Sequence, residues 1–221
     1  MAATSQLISL IESNSLTIEE YSILTRRYFQ KEYNEFITFV IQELDIDYES
    51  RVLDIGCGPG WVSLELGRRL PDSKIIGFDF NENIIQVANQ NKRLEKLDNV
   101  EFVSTNQNNL EQFTDRFFDA VISFNVLHFL DNQKKILNEI NRVLKKKGRY
   151  AIADNRSDLK ILAKAAIWFN ARTMPKNFRL FWKESFRTSH SLTELVNLLL
   201  KTKLKDWKIR SSLFDFLIYK M

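Results

Sequence analysis

Apolar residues along this chain fall into two alternating rhythms. Short apolar runs, RVLDI from Arg51, KIIGFDF from Lys74, NVEFVS from Asn99, FFDAVISFNV from Phe117 and RYAIAD from Arg149, read as strands. Helix-period segments lie between most of them. Trp61 to Leu70 carries Val62, Leu64, Leu66 and Leu70, and Asn81 to Leu97 opens on a capping asparagine. Asn132 to Lys147 sets Ile136, Ile140, Val143 and Leu144 on one face, and Gly148 is expected to end that helix. Strand and helix in this order predict a parallel sheet with helices on both faces.

The flanks break the rhythm. Thr17 and Glu20 form an S/T-x-x-E capping box, and the helix they open is expected to run to Leu44 with a break. After Asp154, Leu159 to Phe186 is helical and aromatic-rich. Ser191 and Glu194 box another helix, and DWKIRSSLFDFLIYK at the end reads as two strands turning near Ser211 and Ser212. Such a hairpin would add antiparallel strands at the sheet edge. The expected fold is α/β: a doubly wound, mostly parallel seven-stranded sheet with an antiparallel edge hairpin and a helical N-terminal extension. It is read as one domain over 1–221, with a helical cap at 1–48, a core at 49–155, an inserted aromatic segment at 156–190, and the last helix and edge strands at 191–221.

Composition narrows the class. The chain has 221 residues, 44% hydrophobic and 27% charged, enough to bury a core unaided. Cys57 is the single cysteine, so an internal disulfide is excluded and a reducing compartment suits the chain. The first residues have no basic region and include Glu12, unlike a signal peptide. No apolar run approaches the ~18 residues of a membrane span. A cytoplasmic protein is expected. The net charge of +4 is uneven: Lys160 to Met221 holds thirteen Lys and Arg against four Asp and Glu, leaving −5 for the rest. A basic end suits acidic partners, while spacing of the charges at intervals fits a solvated face.

The chemistry concentrates in RVLDIGCGPGW, which holds three of the six glycines: Gly56, Gly58 and Gly60. A glycine bend between the first strand and its helix sits where open parallel sheets bind ligands, and the helix start offers unpaired N–H groups. The spacing is not the dinucleotide G-x-G-x-x-G, because Trp61 stands at the third position, and no Gly-Lys-Ser/Thr follows. Asp79 closes the second strand, about twenty residues on, where an acid can accept both ribose hydroxyls.

VLDIGCGPGWVSLEL, IIGFDFN, VEFVS, FDAVISFNVLHFLDN and INRVLKKKGRYAIAD, in this order, resemble the successive motifs of class I S-adenosylmethionine-dependent methyltransferases, in particular the group acting on small molecules that includes quinone-biosynthesis enzymes. The resemblance covers Arg51 to Asp154, about half the chain. It implies S-adenosylmethionine as cofactor and a small-molecule methyl acceptor. It implies that Asp54, Gly56 and Gly58 line the methionine part and that Cys57 gives backbone contacts. Asp79 would hold the ribose, Phe80 would pack beside the adenine, and Asn106 and Gln107 would face the adenine edge. Asn125 would lie near the methionine moiety, with Arg27 or Tyr28 closing over it. Two positions depart from the pattern. Asn106-Gln107 replaces the usual Asp-Ala, keeping an acceptor without its charge, and Lys146-Lys147-Gly148-Arg149 replaces Lys-Pro-Gly-Gly.

Methyl transfer needs a base only where the acceptor must lose a proton. His128, the histidine near the end of the fourth strand, is the candidate, beside the plainer reading of a packed histidine. His190 reads as a loop residue. Asp154-Asn155 resembles the pair of metal-dependent catechol-type enzymes, but Phe124-Asn125 lacks the acid those place after strand four, so no metal is assigned. No Asn/Asp-Pro-Pro-Tyr/Phe follows strand four, against amino methylation of adenine or glutamine, and Cys57 reads as an apolar filler. The aromatics from Trp168 to Phe186, interleaved with Arg172, Lys176, Arg179 and Lys183, suit a lid over an aromatic or anionic acceptor. Two rivals stay open: a non-catalytic S-adenosylmethionine-binding regulator, and an RNA methyltransferase, the latter disfavoured.

Overall fold

The computed structural model describes residues 4–46, 49–104 and 110–221. Two helices, α1 (Thr4–Ser13) and α2 (Ile18–Glu43), precede the sheet. Then follow β1 (Arg51–Ile55), α3 (Trp61–Arg69), β2 (Lys74–Asp79), α4 (Glu82–Glu95), β3 (Val100–Ser104), β4 (Phe118–Phe124), α5 (Gln133–Val143) and β5 (Leu144–Asn155). The chain closes with α6 (Ile161–Asn170), α7 (Lys176–Thr188), α8 (Leu192–Leu199), β6 (Lys208–Ser211) and β7 (Asp215–Lys220). The strand order is β3-β2-β1-β4-β5-β7-β6, with β1 to β5 parallel and β7 antiparallel to both neighbours. The doubly wound sheet with an edge hairpin is therefore the fold.

Alternation along the strands divides the core in two. Val52, Ile75, Ala120 and Ile122 face α2, α3 and α4, which supply Ile37, Val40, Leu66 and Ala88. Leu53, Ile55, Val121 and Ile152 face α5 and α8, which supply Ile140, Val143, Leu195 and Leu199. A third cluster joins α1 to α7 through Ile11, Phe178 and Phe181, with Phe129 from the segment after β4. The helix starts follow the sequence signals. Thr17 and Ser191 form complete capping boxes, and the Asn81 side chain accepts from the Ile84 amide at 3.1 Å.

Two expectations need correction. The first is the break in α2, which runs without one from Ile18 to Glu43. Its interior holds no glycine or proline, and Thr25 Oγ1 donates to the Tyr21 and Ser22 carbonyls, satisfying the hydroxyl within the helix. The second is Gly148, which does not cap α5. That helix stops at Val143, because the Arg142 and Val143 carbonyls accept from the Arg116 and Phe117 amides and draw the chain into β5. Gly148 serves a shift in the β4–β5 register between Phe118 and Ala120, where an added Cβ would lie 3.0 Å from the Lys145 carbonyl oxygen and 3.1 Å from that of Asp119.

Arg142 anchors the segment leading into β4. Its guanidinium donates to the Leu110 and Phe113 carbonyls at 2.9 Å each, to Asp115 and to Glu139. Arg142→Ala would leave those carbonyls without this partner, so a loss of about 1–3 kcal/mol is expected. Arg142→Lys should recover only part, since an ammonium cannot reproduce the planar fork. Urea unfolding checks both, with a lower midpoint at an unchanged denaturant slope.

Candidate active site

The bend between β1 and α3 is fixed by the neighbouring strand. Gly56 and Cys57 donate their amides to the Phe78 carbonyl at 2.7 and 3.0 Å, and the Gly58 amide donates to Asp79 Oδ2 at 3.0 Å. Asp79 Oδ1 accepts from the Asn81 amide at 3.0 Å. Gly56, Gly58 and Gly60 all take positive φ, 70°, 54° and 89°. At Gly58 an added Cβ would meet nothing within 4 Å, so the backbone there borders open space. Gly60 precedes α3 without a side-chain cap, leaving the helix start available to an acceptor group.

Two carboxyl groups flank this bend in the interior. Asp54 is buried and accepts from Ser63 Oγ at 2.6 Å. Burial pushes its pKa up to about 7 against the hydrogen bond from Ser63, and the charge on Asp79 adds to the rise. Asp79 is pushed up to about 6 by burial, against hydrogen bonds from the Asn81, Gly58 and Phe80 amides. The Cys57 thiol is driven well above its ordinary value by burial and by both carboxylates, which suits a filler and not a nucleophile.

These groups open into one pocket enclosing about 940 Å3, its mouth included. Asp54, Gly56, Cys57, Gly58, Asp79, Phe80 and Asn125 all line it. Asn125 follows β4 with φ 56° and donates its amide to the Ala153 carbonyl at 2.9 Å. Asn106 and Gln107 lie outside the described residues. Arg27 and Tyr28 are not on the lining. Tyr28 stacks on Phe178 at 5.7 Å and donates to the Thr173 carbonyl at 2.8 Å, with the Arg27 guanidinium 5.6 Å from its ring centroid. The wall from α2 is instead Tyr21, Phe29 and Tyr33. Leu7 and Ile8 of α1, Phe124 and Phe129, and Phe181 and Trp182 of α7 complete an apolar, aromatic enclosure. Among the described residues no Lys or Arg lines it, so Arg172, Lys176, Arg179 and Lys183 stand outside.

Trp61 fastens α2 over the pocket. Its Nε1 donates to the Ser22 carbonyl at 2.9 Å, Arg26 lies 4.3 Å from its ring centroid, and Arg26 pairs with Glu95 of α4 at 2.7 Å.

His128 is fully buried and reaches the pocket only through another residue. Its Nδ1 meets Asp154 Oδ1 at 2.5 Å and its Nε2 meets Ser185 Oγ at 2.9 Å. Asp154 also accepts from the His128 and Asn155 amides. A carboxylate so surrounded is acceptor-only, which puts the imidazole proton on Nδ1 and leaves Nε2 to accept from Ser185. Asn155 Nδ2 donates to Ser185 Oγ at 3.0 Å, and Ser185 and Asn155 both line the pocket. The Asp154 oxygens are thus committed to His128 and Asn155. Among the described residues no three His, Cys, Asp or Glu cluster as metal ligands do.

Residues 46–204 match the family described as a methyltransferase domain. The chain belongs to this family. The chain is 35% identical over 105 residues to a demethylmenaquinone methyltransferase of Thermotoga maritima, covering 47% of this chain and 43% of that protein. It is 32% identical over 134 residues to a demethylmenaquinone methyltransferase of Lactococcus lactis, covering 60% and 53%. In fold it is similar to a Methanococcus maripaludis protein put forward as an S-adenosyl-L-methionine-dependent methyltransferase, at a TM-score of 0.75 and 22% identity over 92% of this chain and 90% of that one. The chain thus spans about half the length of these two curated relatives.

Within this methyltransferase domain, sequence reasoning overlooked the pocket face of α2. Tyr21, Thr25, Phe29 and Tyr33 recur every fourth residue, a stripe one helix face presents, and Arg27 and Tyr28 fall beside it. Ser185 gave no signal, since only the packing of α7 brings it to His128.

The raised carboxyl groups carry a pH signature. A folded-state pKa above the unfolded value means the folded chain holds the proton more tightly. The stability this confers is full below about pH 4 and is lost as pH rises through about 6 for Asp79 and about 7 for Asp54. Asp54→Asn should therefore flatten the fall in unfolding free energy across this window, as followed by urea titration. Parallel curves for the two proteins would place Asp54 at an ordinary carboxylate pKa.

Proposed function

We propose that this chain is an S-adenosylmethionine-dependent methyltransferase acting on a small, uncharged acceptor with apolar or aromatic surface. One observation carries the reading: two buried carboxyl groups flank a glycine bend in an aromatic pocket that, among the described residues, no Lys or Arg lines. Membership of the methyltransferase domain family supports it.

The residues present fit the cofactor. The open space beside Gly58 admits a ligand against the backbone, and Asp79 keeps lone pairs for ribose hydroxyls beside the backbone amides it already accepts. Asp54, with Gly56 and Asn125, would hold the methionine end, the backbone at Cys57 would border it, and Phe80 would pack beside the base. When bound, S-adenosylmethionine supplies an electrophilic methyl group on a sulfonium. Tyr33 and Phe124, packed edge to face with ring centroids 5.4 Å apart, line the pocket and exclude water from it. We also place α6 and α7, within residues 156–190, as the lid, since α7 contributes Phe181 and Trp182 to the wall.

The same lid supplies a route for the acceptor's proton. Ser185 Oγ takes that proton while passing its own to His128 Nε2, and Asp154 stabilises the resulting imidazolium through Nδ1–H. Burial lets this short chain act on the pocket without exposing the histidine to bulk water. An anionic acceptor finds no basic partner on the described lining, and nothing on that lining favours RNA.

Calorimetry with S-adenosylhomocysteine should show stoichiometric binding. Asp79→Ala should weaken it by about tenfold to a hundredfold, the loss of hydrogen bonds to a charged group. Undiminished binding would remove the ribose assignment. With labelled cofactor and cell extract, Ser185→Ala should transfer methyl groups about a hundredfold more slowly while its S-adenosylhomocysteine affinity holds. Full transfer by Ser185→Ala would dismiss the relay. Stoichiometric binding with no labelled acceptor in any extract would favour a regulatory cofactor-binding protein.

A further inference from the structure

The outer face of α6 is apolar and uncovered. Ile161, Leu162, Trp168 and Phe169 are 84%, 82%, 58% and 65% exposed, whereas Ala163 and Ile167 on the opposite side are buried. At 3.6 residues per turn the four exposed residues fall within an arc of about 120°, with Ala165 between them. Large apolar side chains scattered singly need no account, but a contiguous stripe on one helix does. α7 has an exposed face of its own. Its outward residues are Lys176, Leu180, Lys183 and Arg187, while Phe181, Trp182 and Ser185 turn inward to the pocket.

Charge identifies what covers this stripe. From Leu159 to His190 there are seven Lys and Arg and one acid, Glu184. Glu184 is paired with Arg187, and the nearby Asp158 is paired with Arg156. The Arg172 guanidinium lies 5.6 and 5.7 Å from the ring centroids of Trp168 and Phe169, at the edge of the stripe. Lys164 flanks it from the other side. An apolar, Trp-bearing helix face rimmed by lysine and arginine is the composition of an element lying in the plane of a bilayer interface. No helix among the described residues is long and apolar enough to cross a membrane, so the contact is peripheral. A second copy of the chain would set this basic rim against its own like charges. RNA would use the basic and aromatic groups but leave Ile161, Leu162 and Leu180 without a partner.

We propose that the outer face of α6, with the basic face of α7, docks the protein on an anionic lipid surface. The proposal stands independently of the reaction proposed above. Docking places α7, one wall of the pocket, at the lipid boundary.

Flotation of the full chain with lipid vesicles tests it. Binding to phosphatidylcholine vesicles containing phosphatidylglycerol should exceed binding to phosphatidylcholine alone by about tenfold or more, and should weaken with salt. Leu162→Asp with Trp168→Ala should lose about tenfold, as should Lys160→Glu with Lys164→Glu. Both variants change exposed side chains, and thermal unfolding with bound S-adenosylhomocysteine checks that each is folded. If cofactor binding fails while flotation persists, the reaction falls and the docking stands. Absence of flotation with anionic vesicles, or equal flotation of folded variants and parent, overturns the proposal. So does a dimer in solution that Leu162→Asp converts to monomer, or retention on single-stranded RNA without vesicle binding.

Discussion

The burial of Asp54 and Asp79 at the ends of adjacent strands, with no Lys or Arg beside them among the described residues, is the constraint on which the rest of the site depends. A carboxyl group in such a place must be hydrogen-bonded or neutral. Asp79 is satisfied by backbone amides, and one of them belongs to Gly58. That bond, with the two amides held by the Phe78 carbonyl, ties the glycine bend to β2. The same acids that favour a cationic ligand therefore also hold the loop that would receive it. The arrangement costs stability when the pocket carboxylates are charged, a usual trade at sites organised for a ligand rather than for the fold.

Strand positions and the helix starts were legible because they depend on local signals. Thr17, Asn81 and Ser191 cap their helices by bonds spanning three residues, and the parallel strands are apolar runs bounded by breakers. The end of α5 was not legible. Lys145 to Lys147 have helical propensity, but amides more than twenty residues earlier compete for the Arg142 and Val143 carbonyls and win. Gly148 looked like a cap because a glycine after a helical pattern usually is one. Here it answers to a close approach by the Asp119 and Lys145 carbonyl oxygens, which only the assembled sheet creates.

The site divides along the same line. Asp54, Gly56, Gly58, Asp79, Phe80 and Asn125 sit at strand ends, where topology alone predicts a ligand, and the structure gathers them on one pocket. The pocket face of α2 was available in the four-residue recurrence from Tyr21 to Tyr33, and Arg27 and Tyr28, to which the resemblance pointed, lie beside that face. The aromatic segment after β5 resolves into three groups: Phe178 and Phe186 are core, Phe181 and Trp182 are pocket wall, and Trp168 and Phe169 face outward. Composition reports all of them identically. Only the phase of two short helices separates them.

The buried chain of Asp154, His128 and Ser185 joins these levels. Asp154 lies at the end of β5, His128 follows β4, and Ser185 comes from α7, so the His128–Ser185 bond carries the Asp154–His128 pair onto α7. Asn155 adds a second bond to α7 by donating to the same hydroxyl. A packed histidine in an apolar setting would need only its two ring partners. Here the serine that satisfies Nε2 also lines the pocket, which a purely structural arrangement does not require. In the proposed reaction, seating α7 and assembling the proton route are then one event. The hydroxyl lies on the same pocket wall as Phe181 and Trp182. Coupling the two would keep an activated methyl group from water until the acceptor is enclosed, and it makes α7 the element through which any force applied to the outer surface would reach the chemistry.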